Sequence, residues 1–335
     1  MLEEELLGVV FLEAAEVDFS APHVAARWPE NPTSPILISV IKDEIQLLPD
    51  FFTHYRRLGV DRFVIIDNGS VDGSKEYCAE QPDADVHCVD RPFLWPQKQG
   101  WITRAITDYG LDRWYIYVDA DERLVFDGWR SRSLTEFAQW ADDRGLSRIR
   151  GVLIDMYSDS PVLETRWPQG YSLAQAYPYF DTDGYNESRL PHIISCHGGP
   201  RRRIFGNVDP NFNPEMTKYP MFRPTNGDIM INPHHFYPHQ NNLLSDCYIG
   251  LLHYKFLPGF MGKIRTAVNE KTYWNDSYDY RTYLTGLREN PNLTFKYLGS
   301  RKYKTEKCLM EAGLIASIEW RDSFIIRLLR SVFGH

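Results

Sequence analysis

Residues 114–126 read WYIYVDADERLVF, and the interpretation of the rest of the chain depends on this stretch. Five residues typical of a buried strand, Trp114 to Val118, run directly into three carboxylates, Asp119, Asp121 and Glu122. Packing does not explain these carboxylates, because an unpaired charge at the edge of a core is costly. We therefore expect a positively charged group at the end of this strand.

Three further strands are predicted before this stretch. Apolar runs of strand length occupy residues 36–41, 62–67 and 85–90, and patterns typical of helices lie between the predicted strands. The alternation of strand and helix predicts βαβ units and a mainly parallel sheet. Acidic residues follow three of the four strands, and ligands bind at the carboxyl ends of the strands in such sheets.

The pattern changes after residue 150. Short apolar runs at residues 150–157, 201–206, 228–237 and 248–256 are separated by long loops rich in Pro, Gly, Asn and aromatic residues. This pattern predicts antiparallel strands that carry functional loops.

Composition excludes some classes of function. The chain has 335 residues with 43% hydrophobic and 24% charged residues, which is typical of a globular protein. A formal net charge of −8 argues against a general nucleic-acid-binding protein, which needs a basic face. Five scattered cysteines without a CxxC pair give no disulfide framework or zinc site and favour a reducing compartment.

The location of the protein is predicted from what its sequence lacks. The N-terminus carries acids where a signal peptide has basic residues, and no apolar run reaches the roughly 18 residues of a membrane span. We expect a cytoplasmic protein.

The Asp-x-Asp pair at Asp119 and Asp121 is the first candidate site. Two carboxylates placed where a strand becomes a loop can bind one hard cation such as Mg²⁺ or Mn²⁺, often together with a substrate diphosphate. The alternative is a solvated turn in which the aspartates cap the backbone.

Two motifs carry a resemblance to a known family. IDNGSVDGS (residues 66–74) follows a strand, and SVIKDE (39–44) precedes it; together they resemble the nucleotide-binding start of family 2-type glycosyltransferases of the GT-A fold. VDADERL (118–124) resembles their DxD metal motif, and its DxDE form with HYKF (253–256) resembles a related branch that includes family 92-like enzymes. The resemblance covers residues 35–130 well and continues as scattered motifs to about residue 310.

The resemblance implies an α/β GT-A fold, which is Rossmann-like, with a mainly parallel central sheet and an antiparallel C-terminal portion. We expect a peripheral segment at residues 1–34, one domain at 35–300 and a helical tail at 301–335. Within the domain, residues 35–130 form the nucleotide-sugar-binding half and 131–300 the acceptor half. The implied activity is metal-dependent transfer of a sugar from a nucleoside-diphosphate sugar to a glycan, lipid-linked or other hydroxyl acceptor, with inversion.

Roles for individual residues also follow from the resemblance. It implies that Asp67 contacts the base or ribose, that Asp119 approaches the ribose or the metal, and that Asp121 ligates Mn²⁺ or Mg²⁺. Relatives have Asn-Glu after the first strand where this chain has Asp43-Glu44, so Glu44 is the better candidate for a nucleotide contact. The alternative role for Asp67 is a turn residue before Asn-Gly.

A histidine and several cations complete the expected donor site. The resemblance implies that His253 completes the metal site, although a histidine beside an apolar run is often structural. Lys98 and Lys255 are candidates for the diphosphate. In HGGPRRR, Arg201 and Arg203 share a face if this segment is a strand, and we interpret them as ligands of the diphosphate or of an anionic acceptor. The alternative is a solvated edge strand.

An inverting enzyme also needs a carboxylate that takes the proton of the acceptor hydroxyl. Asp155 is our first candidate, because it interrupts an apolar strand after the DxD motif. Asp181, Asp183, Asp209 and Glu215 are rivals.

The acceptor side has two weak signals. Aromatic residues in the loops after residue 160 are of the kind that stacks on sugars, but they also fill cores. The end of the tail, WRDSFIIRLLRSVFGH (residues 320–335), is amphipathic and suits a peripheral contact with a membrane that carries a lipid-linked acceptor. Packing on its own domain is the alternative.

Two other functions compete with the first. A haloacid-dehalogenase-like phosphatase also has a DxD after an apolar strand, but its motif continues differently and its DxD strand comes early in the fold. A catalytically inactive carbohydrate- or nucleotide-binding protein on the same scaffold is the non-enzymatic alternative.

Overall fold

The structure is a computed structural model that describes residues 3–23, 34–91, 93–271 and 274–320. The strands are β1 Ser20–His23, β2 Ile36–Ile41, β3 Phe63–Asp67, β4 Ala84–Cys88, β5 Tyr115–Tyr117, β6 Glu122–Val125, β7 Arg148–Asp155, β8 Tyr179–Asp181, β9 Tyr185–Arg189, β10 Ile194–Gly198, β11 Thr217–Phe222, β12 Ile229–Asn232, β13 His235–Tyr237, β14 Cys247–His253 and β15 Ser300–Lys302. The helices are α1 Glu3–Glu16, α2 Leu48–Arg57, α3 Ser74–Ala79, α4 Trp95–Tyr109, α5 Leu134–Asp142, α6 Leu173–Ala176, α7 Gly199–Phe205, α8 Phe260–Glu270, α9 Trp274–Glu289 and α10 Lys307–Glu311.

A nine-stranded sheet forms the centre of the molecule, in the order β1-β4-β3-β2-β5-β11-β7-β14-β6. The neighbours β4, β3, β2 and β5 are parallel, and β7 and β14 are parallel to each other. Strands β1, β11 and β6 run antiparallel to their neighbours. The predicted α/β fold class with a mainly parallel sheet is confirmed. β2 and β3 are buried along their whole length, as their continuous apolar sequences require.

The loop after β2 differs from the prediction. In the sequence, apolar residues recur at helical spacing from Ile45 to Leu58, which predicts a helix between β2 and β3, but α2 begins only at Leu48. The intervening backbone is instead tied to the NGSVDGS loop: the Asp43 N–H donates to Ser70 Oγ at 3.0 Å and the Glu44 N–H to Ser74 Oγ at 2.8 Å. These side-chain hydrogen bonds replace the missing helical turn, so the two loops form one unit at the carboxyl ends of β2 and β3.

The second half contains two corrections. β7 and β14 are parallel rather than antiparallel, and β11 lies between β5 and β7 and runs against both. Residues 201–206, expected to form a strand, lie in α7 and its C-cap. Pro200 suits the first turn of a helix, and Gly199 has the positive φ of 69° that joins α7 to β10.

The tail is helical only in part. From residue 300 it forms β15, then the short helix α10, and residues 312–320 are not helical. The predicted amphipathic helix lies outside the described residues, which end at Trp320.

The N-terminal segment packs on the first half of the domain. β1 pairs antiparallel with β4, and α1 packs on α4, where Glu13 Oε1 accepts a hydrogen bond from the Trp101 indole N–H at 2.7 Å. The two helices approach closely at Gly100, where a Cβ atom would lie 2.5 Å from Glu13 Cβ. No helix in the described part of the chain has the length and apolar character needed to cross a membrane.

Candidate active site

Carboxylates and cations converge at the carboxyl ends of the parallel strands of the central sheet. The loop after β5 carries Asp119 and Asp121, the parallel strands β7 and β14 end in Asp155 and His253, and β11 brings Lys218 to the same edge. Because β14 pairs residue by residue with both β7 and β6, His253 is opposite Asp155 on one side and opposite Glu122 on the other. Sheet register therefore assembles the group.

Lysine side chains meet the first carboxylate. Asp119 Oδ1 accepts hydrogen bonds from Lys98 Nζ at 2.7 Å and from the Tyr117 hydroxyl at 2.9 Å, and its Oδ2 accepts one from Lys218 Nζ at 3.0 Å. Burial raises the pKa of Asp119, but the charges of Lys218 and Lys98 outweigh burial and hold this pKa well below its usual value. The expected positive partner at the end of β5 is thus provided by the protein itself.

Lys218 was missed by sequence reasoning. It also pairs with the buried carboxylate of Glu122. Burial lowers the pKa of Lys218, but Asp119 and Glu122 outweigh it and the pKa is raised. The only signal in the sequence is a lysine inside the apolar strand TKYPMF, which does not reveal its partners.

His253 lies between two aspartates. Its Nδ1 is 2.7 Å from Asp155 Oδ1, and its Nε2 is 3.6 Å from Asp121 Oδ2. Burial lowers the pKa of His253, but these two carboxylates raise it above its usual value. Burial raises the pKa of Asp121, but His253 outweighs burial and the net shift is downward.

The position of Asp155 argues against the predicted role of catalytic base. Its side chain is 1% exposed, and Oδ2 accepts a hydrogen bond from Arg201 Nε at 2.8 Å while Oδ1 pairs with His253. Burial raises the pKa of Asp155, but Arg201 and His253 lower it to about 2. A carboxylate with both oxygens in ion pairs is a weak proton acceptor. It is well suited to fix the orientation of the imidazole.

One group of side chains fits a metal ion. The ligand atoms of Asp121, Glu122 and His253 lie within 4.8 Å of one another. Carboxylate oxygens and an imidazole suit Mn²⁺, and a carboxylate behind the histidine is the usual second partner of a metal-binding imidazole. Glu122 replaces the expected Asp119 in this group; Asp119 accepts hydrogen bonds from lysines instead, and its role as a ligand stays a prediction.

Further cations lie beside this group. Lys263 Nζ is 2.6 Å from Glu44 Oε1, so α8 contacts the loop after β2. Lys255 is half-buried, with its Nζ 4.9 Å from the centre of the Tyr280 ring, and no carboxylate lies within 4 Å of it in the described part of the chain. Burial and the charge of Arg201 lower the pKa of Lys255.

The structure separates Arg201 from Arg203. Residues two apart diverge on a helix, so Arg201 reaches Asp155 whereas Arg203 donates to Asp181 Oδ2 at 2.7 Å and to the Phe295 carbonyl at 2.7 Å. The expectation that both share a face is wrong, because the segment is helical. Arg203 stabilises a separate cluster rather than the candidate site.

Asp67 has features of both predicted roles. Its Oδ2 accepts hydrogen bonds from the N–H groups of Gly69 and Ser70, each at 3.2 Å. These bonds stabilise the turn, as one of the two predicted roles requires. Its Oδ1 is buried and has no hydrogen-bond partner among the described residues. A buried carboxylate oxygen without a partner is costly, and a ligand donor would satisfy it.

Comparison with known proteins gives a partial similarity. No family model matches the chain. A segment of 111 residues is 28% identical to glycosyltransferase family 92 protein Os08g0121900 of Oryza sativa subsp. japonica. The match covers 32% of this chain and 19% of that protein. The chain therefore spans about a fifth of the length of the curated relative it matches.

Two solved structures show weak likenesses. Residues 1–349 of S. aureus TarS align with a TM-score of 0.31 and 10% identity, covering 77% of this chain and 72% of that one. A nucleotidyl transferase from Methanothermobacter thermautotroptrophicus aligns with a TM-score of 0.22 and 11% identity, covering 38% and 63%. At these TM-scores neither likeness supports a conclusion about this chain.

Proposed function

We propose that the protein is a metal-dependent glycosyltransferase of the GT-A type that uses a nucleoside-diphosphate sugar. The observation that carries the proposal is the group formed by Asp121, Glu122 and His253, with Asp155 behind the histidine, at the carboxyl edge of a mainly parallel sheet. The sequence similarity to a glycosyltransferase family 92 protein supports the same reaction class.

Asp121 and His253 would hold the metal. Glu122 would be a third ligand through the oxygen that is not paired with Lys218. A bound Mn²⁺ or Mg²⁺ acts as a Lewis acid that neutralises the charge of the departing nucleoside diphosphate. Asp155 keeps the Nδ1 side of the imidazole occupied, so Nε2 is directed toward Asp121.

Two further cations are available for the donor. Lys255 lacks a carboxylate partner in the described structure, and its lowered pKa means that a nearby anion would stabilise its charged form. We assign Lys255 to the diphosphate. Lys263, which is paired with Glu44, is a second cation on this side of the site. Asp67, with its unpartnered Oδ1, is assigned to the base or ribose.

Glu215 is the better candidate for the base that deprotonates the acceptor. It precedes β11, and the adjacent Met216 carbonyl accepts a hydrogen bond from Leu153 N–H in β7, which places Glu215 near the end of β7. Its carboxylate is 24% exposed and is held by the Ser195 hydroxyl at 2.7 Å and by His197 Nε2 at 3.1 Å. Glu215→Gln should retain nucleotide binding and slow hydrolysis of the bound donor; an unchanged hydrolysis rate would reject this role.

The phosphatase alternative is weaker. Parallel strands β2, β3 and β4 precede the DxD strand, and Asp119 is paired with two lysines rather than free to act as a nucleophile. No observation favours an inactive scaffold.

Binding of nucleoside diphosphates with and without Mn²⁺ tests the proposal. We expect the melting temperature to rise with one nucleotide only when Mn²⁺ is present, since a ligand at 100 times its Kd adds about 2.7 kcal/mol. Asp121→Asn should remove this shift. Asp159→Asn, which makes the same charge change at an exposed site, should keep it. Mn²⁺-dependent binding that survives in Asp121→Asn would contradict the proposal.

A further inference from the structure

A cleft of about 230 Å³ contains three arginines. We call it the arginine cleft. Its lining residues come from α2, from β6 and the turn after it, from α6 and its N-cap, from the end of β14, and from the residue after β15: Asp50, Thr53, His54, Arg57, Arg123, Val125, Trp129, Arg130, Ser172, Leu173, Ala174, Leu252, Tyr254 and Tyr303.

The arginine cleft and the candidate site lie on opposite faces of the same strand pair. In the β14–β6 ladder, His253 pairs with Glu122 and the preceding Leu252 pairs with Arg123. Successive side chains of a strand point to opposite faces. His253 and Glu122 therefore lie on the face that carries the proposed metal-binding group, formed by Asp121, Glu122 and His253. Leu252 and Arg123 lie on the opposite face, which lines the cleft.

The cleft is positively charged. Arg123 is paired with Asp50 at 2.7 Å and Arg130 with Glu306 at 3.8 Å, whereas Arg57 has no ion pair among the described residues. The three arginines therefore leave an excess of positive charge. His54 adds no charge, because burial and Arg123 lower its pKa to about 3. An anion would therefore be attracted to this cleft in a protein of net charge −8.

Trp129 organises the two exposed arginines. The guanidinium carbons of Arg57 and Arg130 lie 5.2 Å and 4.8 Å from the centre of its ring. Cation–π contacts fix their positions without using their N–H donors. Arg57 makes no side-chain hydrogen bond among the described residues, whereas Arg130 Nη2 donates to the Lys304 carbonyl at 3.2 Å and keeps its other N–H donors for a bound ligand.

Two buried donors of the cleft lie side by side. The indole N–H of Trp129 is directed at the hydroxyl oxygen of Tyr303, and each residue is only 7% exposed. The hydroxyl proton of Tyr303 has no acceptor among the described residues. Buried polar groups are rarely left unsatisfied, so a ligand with several acceptor oxygens would satisfy this proton together with the guanidinium N–H groups.

We propose that the arginine cleft binds the phosphate group of a small molecule. A phosphate offers several acceptor oxygens and two negative charges, and arginine is the side chain best suited to bind it in a fork. The volume is small, so the ligand is a phosphate ion or a short phosphomonoester. This site is independent of the donor site proposed above.

Titration of the metal-free protein of residues 1–335 with inorganic phosphate and with glycerol 3-phosphate, at constant ionic strength set by chloride, tests the proposal. We expect the melting temperature to rise and the intrinsic tryptophan fluorescence to change, and the fluorescence change should be absent from Trp129→Phe. Arg57→Ala/Arg130→Ala should weaken binding at least tenfold, and Arg57→Lys/Arg130→Lys should restore part of it. The tighter of the two probes identifies the source of the phosphate group.

Two controls separate this site from others. Arg132→Ala/Arg144→Ala removes two arginines that also lie over tryptophan rings, at 5.3 Å from Trp320 and 4.3 Å from Trp140, but outside the cleft, and should bind phosphate normally. Lys255→Ala, in the donor site, should also bind phosphate normally. Phosphate binding that is lost in Lys255→Ala but kept in Arg57→Ala/Arg130→Ala, or that is absent from the wild type, would overturn the proposal.

Discussion

The Nδ1 atom of His253 lies 2.7 Å from Oδ1 of Asp155, and both side chains are buried at the ends of two neighbouring parallel strands. An interrupted apolar strand suggested that Asp155 takes a proton from substrate. Its contacts show instead a residue that orients a histidine and is held in turn by Arg201.

Replacing Asp155 by Asn should weaken Mn²⁺ binding about 10- to 100-fold, because partners behind a metal-binding histidine typically contribute this much affinity. Mn²⁺ titration by electron paramagnetic resonance measures the effect. Asp181→Asn is the matched control, since Asp181 is also buried and paired with an arginine, Arg203 at 2.7 Å, outside the metal-binding group. Equal Mn²⁺ affinities in the two variants would show that Asp155 has no such role.

The same residue predicts part of the acid sensitivity. The pKa of Asp155 is about 2 in the folded protein against 3.8 for an ordinary aspartate, so its contribution to stability is present above about pH 4 and is lost as the pH falls through 2. The difference corresponds to about 2 kcal/mol. The free energy of unfolding of the wild type minus that of Asp155→Asn should shrink by this amount between pH 4 and pH 2 in urea titrations. A constant difference would contradict the ion-pair geometry.

Replacing Lys218 by Met should destabilise the fold. The substitution leaves the buried Glu122 without its cation and removes one of the two lysines from Asp119, and breaking a buried pair typically costs about 3–5 kcal/mol. Denaturant unfolding at pH 7 measures the loss. Lys302→Met, at an exposed position, should change stability by less than about 0.5 kcal/mol. Similar stabilities of the two variants would show that the ion pairs of Lys218 with Asp119 and Glu122 do not stabilise the fold.

Replacing Lys255 by Ala should lower the affinity for the bound nucleoside diphosphate about 10- to 100-fold, because hydrogen bonds to charged groups contribute about 1.5–3 kcal/mol. Mn²⁺ binding without nucleotide should be unchanged. The free energy of unfolding should fall only by what Lys255 gains from its contacts with the Tyr280 and Tyr283 rings, because no carboxylate partner is left behind in the described structure. Calorimetric titration measures the nucleoside-diphosphate affinity of Lys255→Ala, and Lys302→Ala, at an exposed position, is the control. Loss of Mn²⁺ binding in Lys255→Ala would mean that the lysine supports the metal-binding group instead.

Two glycines should respond to alanine in opposite directions. At Gly100 a Cβ would lie 2.5 Å from Glu13 Cβ, so Gly100→Ala should separate α1 from α4 and cost about 1–3 kcal/mol. At Gly8, on α1, a Cβ meets nothing within 4 Å, and alanine should stabilise the helix by up to about 1 kcal/mol. Thermal unfolding of both variants measures this contrast. Destabilisation of the same size in both would indicate that the α1–α4 contact is not formed.

The first half of the fold could be predicted because its signals are local. Apolar runs of strand length gave β2, β3, β4 and β5, and helical spacing gave α2 and α4. The start of α2 was wrong because side chains of Ser70 and Ser74, distant in sequence, bind the backbone of the preceding loop. Such long-range hydrogen bonds leave no periodic pattern.

The site was predictable as a set of residues but not as a set of contacts. Sequence reasoning named Asp121, Asp155 and His253, which the structure brings together, but not the pairing of Asp155 with His253. Lys218 reaches Asp119 because β11 inserts antiparallel beside β5, and Arg201 reaches Asp155 because its segment is a helix. Both contacts depend on the tertiary arrangement of the second half, where apolar runs do not specify strand direction.

The antiparallel strand β1 covers β4, which would otherwise be the outermost strand on its side of the sheet. An uncovered strand offers its free backbone groups to other chains and favours aggregation. Strand β1 thus closes this side of the sheet to other chains, while α1 packs on α4. A version shortened to begin at residue 34 would keep every residue of the donor site while exposing β4 as an edge strand open to self-association.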